Sequence, residues 1–280
     1  MAGGTCAQRN VHRPASLRAA RPAARNPAIE RLEACRTGNV GALPGPIHRN
    51  GVASRCARCG IRWLGVCAAL DDAEQRDLEA IMSHRHLDRG QSLLVDGDRA
   101  DFAYNVISGG IKLFKSLSDG RTQITGFLLA GDFLGLPVRG TYVYSAEALA
   151  DTVLCQFPRD PLQAAFEKHP RLQARLLTAV TDDFSSAQEH MLLLGRKTAV
   201  ERLCSFLRNL LERAERVGGT VDPLTIPLLR NEIADYLGLT IETVSRAFTL
   251  LRQVGLISMN RADEIIIMDR MALEVTANGG

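Results

Sequence analysis

The segment Leu229–Leu251, LRNEIADYLGLTIETVSRAFTLL, constrains this chain more than any other. A first apolar-periodic stretch (Leu229, Ile233, Tyr236, Leu237) stops at a Leu-Gly-Leu turn, and Thr240 then offers an N-cap to a second helix. Two short helices joined this way form a helix-turn-helix. On the second helix Val244, Ala247, Phe248 and Leu251 share one side, while Glu242, Ser245 and Arg246 fall at i, i+3 and i+4 on another. A merely solvated helix face would carry the same residue types. In a major groove, however, Arg246 can donate two bonds to guanine, Glu242 can accept from a cytosine amino group, and Ser245 can approach a thymine. Downstream, SMNRADEIIIMD places two short apolar runs about a polar centre at Asn260–Asp263, the pattern of a β-hairpin wing. The expectation is a winged helix-turn-helix that reads double-stranded DNA.

Charge supports local rather than bulk attraction. Residues 1–55 carry nine Arg, no Lys and two acids, a local charge of +7 in a chain whose net charge is only +3. From Arg196 onward eleven basic residues face eleven acidic ones, so placement of individual Arg side chains must supply the phosphate and base contacts. Residues 1–50, rich in Ala, Arg and Pro, hold too little large apolar content to offset the entropy of ordering and are expected to be a disordered extension. An organelle transit peptide or a DNA-contacting arm has the same composition.

Between Leu87 and Phe157 short β-type runs alternate with turns, and glycines 97, 109, 120 and 131 recur every eleven or twelve residues, the texture of a compact β-roll. Pro170–Gly195 then shows 3-4-3-4 apolar spacing through Leu177, Val180, Phe184, Ala187, Met191 and Leu194. This stripe could bury against its own β-roll. A reader with one recognition helix per chain needs a two-fold partner to reach adjacent major grooves, which favours a dimer seam and a homodimer. The expected organisation is 1–50 extension, 51–169 cysteine-bearing segment and β-roll, 170–195 dimerisation helix, and 196–280 DNA-binding domain.

Seven cysteines without a hydrophobic signal region point to reduced thiols and a cytoplasmic protein, and no run of about eighteen apolar residues is present to span a membrane. The pointed cluster is Cys56-x2-Cys59-x7-Cys67, three thiols within twelve residues that can converge on one metal or cluster. Cys155, in the apolar strand TVLCQF, is the candidate fourth ligand, whereas Cys204 in the helix ERLCSFL reads as an ordinary buried thiol, and Cys6 and Cys35 sit in the extension. Spacing alone leaves an iron–sulfur cluster, zinc and no metal open, since zinc sites usually show two close pairs. No Ser/His/Asp grouping or phosphate loop is present, and the six His are scattered; an enzyme is not expected.

A cysteine-bearing segment, a glycine-punctuated β-roll, a helix ending in MLLLGRKTAVERL and LGLTIETVSR in the reader follow one another over roughly residues 56–270. In that combination the chain resembles the Crp/Fnr superfamily of bacterial transcription regulators, and within it the Fnr-type oxygen sensors, with an x7 interval similar to that of α-proteobacterial members. The resemblance implies an α+β fold: a cyclic-nucleotide-binding-like β-roll, a long dimerisation helix and a C-terminal winged helix-turn-helix. It implies an oxygen-labile [4Fe-4S] cluster held by Cys56, Cys59, Cys67 and Cys155, whose loss in air switches off dimerisation and DNA binding. It also implies a transcription activator whose Glu242, Ser245 and Arg246 read palindromic TTGAT-like half-sites, and contact with RNA polymerase. Where cyclic-nucleotide-binding relatives place an Arg-Ser pair, this chain has Tyr144-Ser145, so a phosphate lacks its bidentate partner and cAMP is not expected as effector. Ala187 stands where the enteric relative has an acid, which removes a repulsive carboxylate from the seam and predicts a weaker monomer–dimer switch.

Overall fold

The computed structural model describes residues 56, 59–137, 140–218, 222–226, 228–261 and 263–280; the extension, with Cys6 and Cys35, lies outside the described residues. Eight strands build the β-roll: β1 (Ser83–Leu87), β2 (Ser92–Leu94), β3 (Phe102–Ser108), β4 (Ile111–Ser116), β5 (Thr122–Leu128), β6 (Phe133–Leu134), β7 (Ser145–Ala148) and β8 (Thr152–Pro158). They form two four-stranded antiparallel sheets, ordered β1-β8-β3-β6 and β2-β7-β4-β5. Leu94, Tyr104, Val106, Ile111, Ala146 and Leu154 fill the space between them. The expected turn glycines 97, 109, 120 and 131 all adopt positive φ. At Gly109 (φ 81°) an added Cβ would lie 2.4 Å from Thr152 Oγ1, so this β3–β4 turn admits no side chain.

Two of the helices that went unread in the sequence flank the roll. The first, α1 (Asp72–Ile81), precedes the roll and opens with a capping box in which Asp71 accepts from the Ala73 and Glu74 backbone N–H groups while Glu74 reaches back to Asp71. The second, α2 (Arg159–Lys168), leads out of β8, and the buried His169 follows it, its Nε2 3.1 Å from Asp77 of α1. Pro170 then starts α3 (Pro170–Arg196), a helix of 27 residues and so about 40 Å long.

Lys197 breaks the chain between α3 and α4 (Ala199–Arg216), where Thr198 and Glu201 form a second capping box. The remaining helices are α5 (Arg230–Leu237), α6 (Ile241–Gln253) and α7 (Arg270–Ala277). Strands β9 (Leu224–Thr225), β10 (Ile257–Arg261) and β11 (Glu264–Ile267) make a small sheet ordered β10-β11-β9, and the β10–β11 hairpin is the expected wing. Leu203, Leu207, Ile233, Leu237, Val244 and Ile265 are buried to 2% exposure or less and form the core of this part.

The β-roll and the C-terminal part share one apolar cluster, with Ile124 and Phe127 of β5 packed among the residues of α4, α5 and α6. Tyr236 of α5 packs against it, 4.6 Å from the Phe127 ring, 5.7 Å from Phe206 and stacked at 4.2 Å on His190 of α3. Polar contacts frame this seat. Gln123 donates to the Asp235 carbonyl at 2.5 Å, and the buried carboxylate of Glu232 meets Lys112 Nζ at 3.2 Å and Arg89 at 3.3 Å. Arg213 bonds Asp132 at 2.8 Å and the Phe127 carbonyl at 3.0 Å.

Candidate functional site

Two candidate sites are built on this frame. In the first, Leu237 closes α5 and Gly238 takes the left-handed conformation (φ 60°), with an added Cβ only 3.1 Å from Leu194 Cδ2. The chain therefore turns sharply into α6, where the Thr240 hydroxyl accepts from the Thr243 N–H at 3.2 Å, the N-cap anticipated above. Val244, Ala247, Phe248 and Leu251 are buried. Glu242, Ser245 and Arg246 all point to solvent, together with Thr240 at the helix N-terminus.

The exposed stripe is electrostatically prepared. Its own backbone N–H, the Thr240 hydroxyl and the Arg246 charge hold the Glu242 carboxyl below the usual range, keeping it an ionised acceptor. Phe248, inside the turn, carries the Arg230 guanidinium 3.5 Å from its ring centroid, and Arg230 also reaches the Met259 sulfur at 3.8 Å. This stack ties α5 to α6 and to the wing. Arg230 was missed in the sequence because its periodic position reads simply as exposed.

In the second site, Cys56, Cys59, Cys67 and Cys155 line one cavity of about 20 Å³ between the 56–70 loop, α1 and the β3/β8 strands. Ile61, Leu78, Met82 and Phe157 supply its apolar wall, and Gln75, Asn105 and Arg62 its polar one. Cys56 and Cys155 are buried, Cys59 and Cys67 half-buried. The Cys59 N–H bonds the Cys56 carbonyl at 3.1 Å and Val66–Ala69 forms a 3-10 turn, so the loop folds back on itself around the thiols. Burial and the neighbouring Cys59 push the Cys67 thiol up to about 12; burial and the other three cysteines likewise raise Cys155. Cys204, in α4, is fully buried away from this set and pushed up to about 11 by burial. It is the ordinary core thiol expected.

Among the described residues no group of three His, Cys, Asp or Glu is drawn close enough to hold a single metal ion. The four thiols nonetheless line one cavity. Four thiolates are a donor set that suits either an iron–sulfur cluster or a tetrahedral zinc. Gln75 and Asn105 are the residues of this site that the sequence did not yield; a lone Asn in the apolar run FAYNVIS was the available signal.

The loop is strapped to α3, where Arg175 donates to the Leu64 carbonyl at 2.9 Å. On another side of α3 the periodic stripe is bare: Leu177 is 67% exposed, Val180 54%, Phe184 61% and Met191 63%, with Ala187 also exposed and Leu194 half-buried. The alternative, burial against the chain's own β-roll, does not occur. At the position compared with the Arg-Ser pair, Ser145 accepts from the Asp96 N–H at 3.1 Å and burial raises the Tyr144 hydroxyl; no cation stands at either residue number. An open cleft of about 960 Å³ separates the roll from α3 and α4 and carries Asp132, Asp183 and Arg213.

The Crp-like helix-turn-helix domain matches residues 201–276 and the cyclic nucleotide-binding domain residues 84–169. The chain is 40% identical over 222 residues to the nitrogen fixation regulation protein FixK of Bradyrhizobium diazoefficiens, covering 79% of this chain and 93% of that protein. It is equally 40% identical over 222 residues to the transcriptional activator protein FnrL of Cereibacter sphaeroides, covering 78% and 90%. In three dimensions it superposes on FixK2 from Bradyrhizobium japonicum with a TM-score of 0.66 at 33% identity, covering 70% of this chain and 97% of that one.

Proposed function

The chain belongs to the Crp/Fnr family of DNA-binding transcription regulators, not enzymes, and from that premise we propose that it is an oxygen-responsive activator that binds DNA as a homodimer. The observation that carries the proposal is the convergence of Cys56, Cys59, Cys67 and Cys155 on one cavity. The names of the relatives include both FixK and FnrL, so the sensory group is argued from this chain's own cysteines. Cys56, Cys59 and Cys67 would hold a [4Fe-4S] cluster from the loop and Cys155 from β8. When bound, that group supplies a centre whose integrity depends on oxygen.

The protein's part is mechanical. With thiols from loop and roll committed to one centre, the 56–67 loop is fixed to β8, and Arg175 passes its position to α3 through the Leu64 carbonyl. α3 is the two-state element: its bare stripe, Leu177, Val180, Phe184, Ala187, Met191 and Leu194, is the seam that pairs with a second copy. Pairing sets two α6 helices one groove apart, and Arg246, Glu242 and Ser245, positioned by Thr240, read palindromic TTGAT-like half-sites. The activator then contacts RNA polymerase. Tyr144-Ser145 offers no bidentate cation for a phosphate, so cAMP is not its effector.

Visible absorption with iron and acid-labile sulfide analysis of anaerobically purified protein tests the proposal. The expected result is about four iron and four sulfide per chain and a brown colour that bleaches in air. A colourless protein with one zinc, or DNA binding indifferent to air, would overturn it.

A further inference from the structure

Asn105 stands where the cysteine cavity meets the seat of the DNA-binding domain. It is directly cross-strand from Cys155 in the β3–β8 ladder, is only 2% exposed, and its side chain lines the same cavity as the four thiols. On one side Gly65, between Cys59 and Cys67, presses against it so closely that a Cβ at residue 65 would come within 2.7 Å of the Asn105 amide. On the other side, with its nitrogen turned to the 131–132 turn, the amide donates to the Asp132 carbonyl at 3.1 Å and the Gly131 carbonyl at 3.2 Å. That orientation lets both amide hydrogens meet acceptors.

The same turn seats the C-terminal domain. The Asp132 carboxylate accepts from the Leu129 N–H at 2.9 Å and from Arg213 of α4 at 2.8 Å, and Arg213 also bonds the Phe127 carbonyl. The turn's backbone is locked to β3 through Val106 in both directions, at 2.9 Å each. A shift of the cysteine loop at Gly65 therefore meets a buried amide that cannot move without dragging the turn, and the turn cannot move without loosening Arg213.

We infer that Asn105 is a positioning residue that carries the state of the cysteine centre to the DNA-binding domain within one protomer, through Gly131–Asp132 and Arg213, in parallel with the seam. The inference takes the four cysteines as the sensory centre, as proposed above. It predicts that the orientation of the reader answers to the centre even in a chain that cannot dimerise.

Hydrogen–deuterium exchange on the full chain, prepared anaerobically, tests the relay in wild type, Asn105→Ala, Arg213→Gln and the double variant, with iron and sulfide measured on each. Exchange is compared between preparations of matched iron content, and in Asn105→Ala exchange in residues 127–132 and 209–217 is expected to rise about tenfold. The double variant is expected to be no worse than the worse single one, because both break one chain of contacts. Unchanged exchange at 209–217 in a folded Asn105→Ala protein, or additive effects, would overturn the relay. Should Asn105→Ala fail to fold, Arg213→Gln read at residues 59–67 decides: increased exchange there supports the relay and unchanged exchange overturns it. Should the wild type prove iron-free while Asn105→Ala still raises exchange at 209–217, the sensory reading fails and the mechanical link stands.

Discussion

Replacing Phe184 with Ala should break the proposed homodimer. The ring is 61% exposed in the protomer, at the middle of the bare α3 stripe. A Phe offers roughly 200 Å² for burial, so about 120 Å² remains to be covered, worth about 3 kcal/mol at about 25 cal/mol/Å² if a partner hid all of it. A two-helix seam covers about half, which leaves about 1.5 kcal/mol per copy and about 3 kcal/mol per dimer, or roughly a hundredfold in dimer Kd. Sedimentation equilibrium of anaerobic protein across a concentration series measures this directly. Leu192→Ala is the control: Leu192 is 57% exposed on the same helix but lies off the stripe. An unchanged Kd for Phe184→Ala, or an equal loss for Leu192→Ala, would refute the reasoning that the stripe is the seam.

Cys155→Ser should leave far-UV circular dichroism intact yet remove iron and anaerobic DNA binding; a variant that keeps both would show that Cys155 is no ligand. Arg246→Ala should cost about 1–3 kcal/mol per half-site in a binding titration and relax preference at one base pair, whereas a uniform loss over all sequences would mark it as a phosphate contact. Glu232→Gln retains an oxygen for the Leu229 N–H, which it now meets at 2.8 Å, but removes the charge facing Lys112 and Arg89. Arg89 is 44% exposed and therefore screened, so urea unfolding should fall by only about 1–2 kcal/mol, with no loss meaning that the seat rests on its apolar cluster alone. Desolvation in the cleft and the Asp132 carboxylate raise Asp183 to about 6 although Arg213 opposes them. The folded state thus binds that proton more tightly than the unfolded state, so the contribution is fully stabilising below the unfolded value of 3.8 and is lost as pH rises through about 6. Asp183→Asn should flatten stability over that window in a pH series of thermal melts, and an unaltered profile would contradict the assignment.

The reader was legible because its chemistry is local. An N-cap at Thr240, a left-handed Gly238 and an apolar stripe of period 3.6 each act within a few residues, and the polar face of α6 follows from them. The turn glycines of the roll were legible for the same reason. Helix α1 was hidden although its Asp71/Glu74 box stands plainly in DDAE, since its apolar side is thin: Gln75 and Leu78 are its buried residues. The cysteine triplet was visible as spacing, but the cavity wall was not, because Asn105 and Gln75 are brought there by strand register and helix docking rather than by sequence proximity. The Glu232–Lys112 contact spans 120 residues and looks, in the sequence, like two unrelated surface charges.

The reading stripe takes almost no part in holding the protomer together: Thr240 caps the helix, while Glu242, Ser245 and Arg246 lean on nothing in the core. Exchanges at those three positions should therefore cost little stability, within about 0.5 kcal/mol each, the range of ordinary surface substitutions. If the proposed function holds, sensing and address are separable inheritances. On the proposed reading, a lineage or an engineer would rewrite which promoters this scaffold visits by changing three exposed side chains, without retuning the cysteine loop, the seat or the seam.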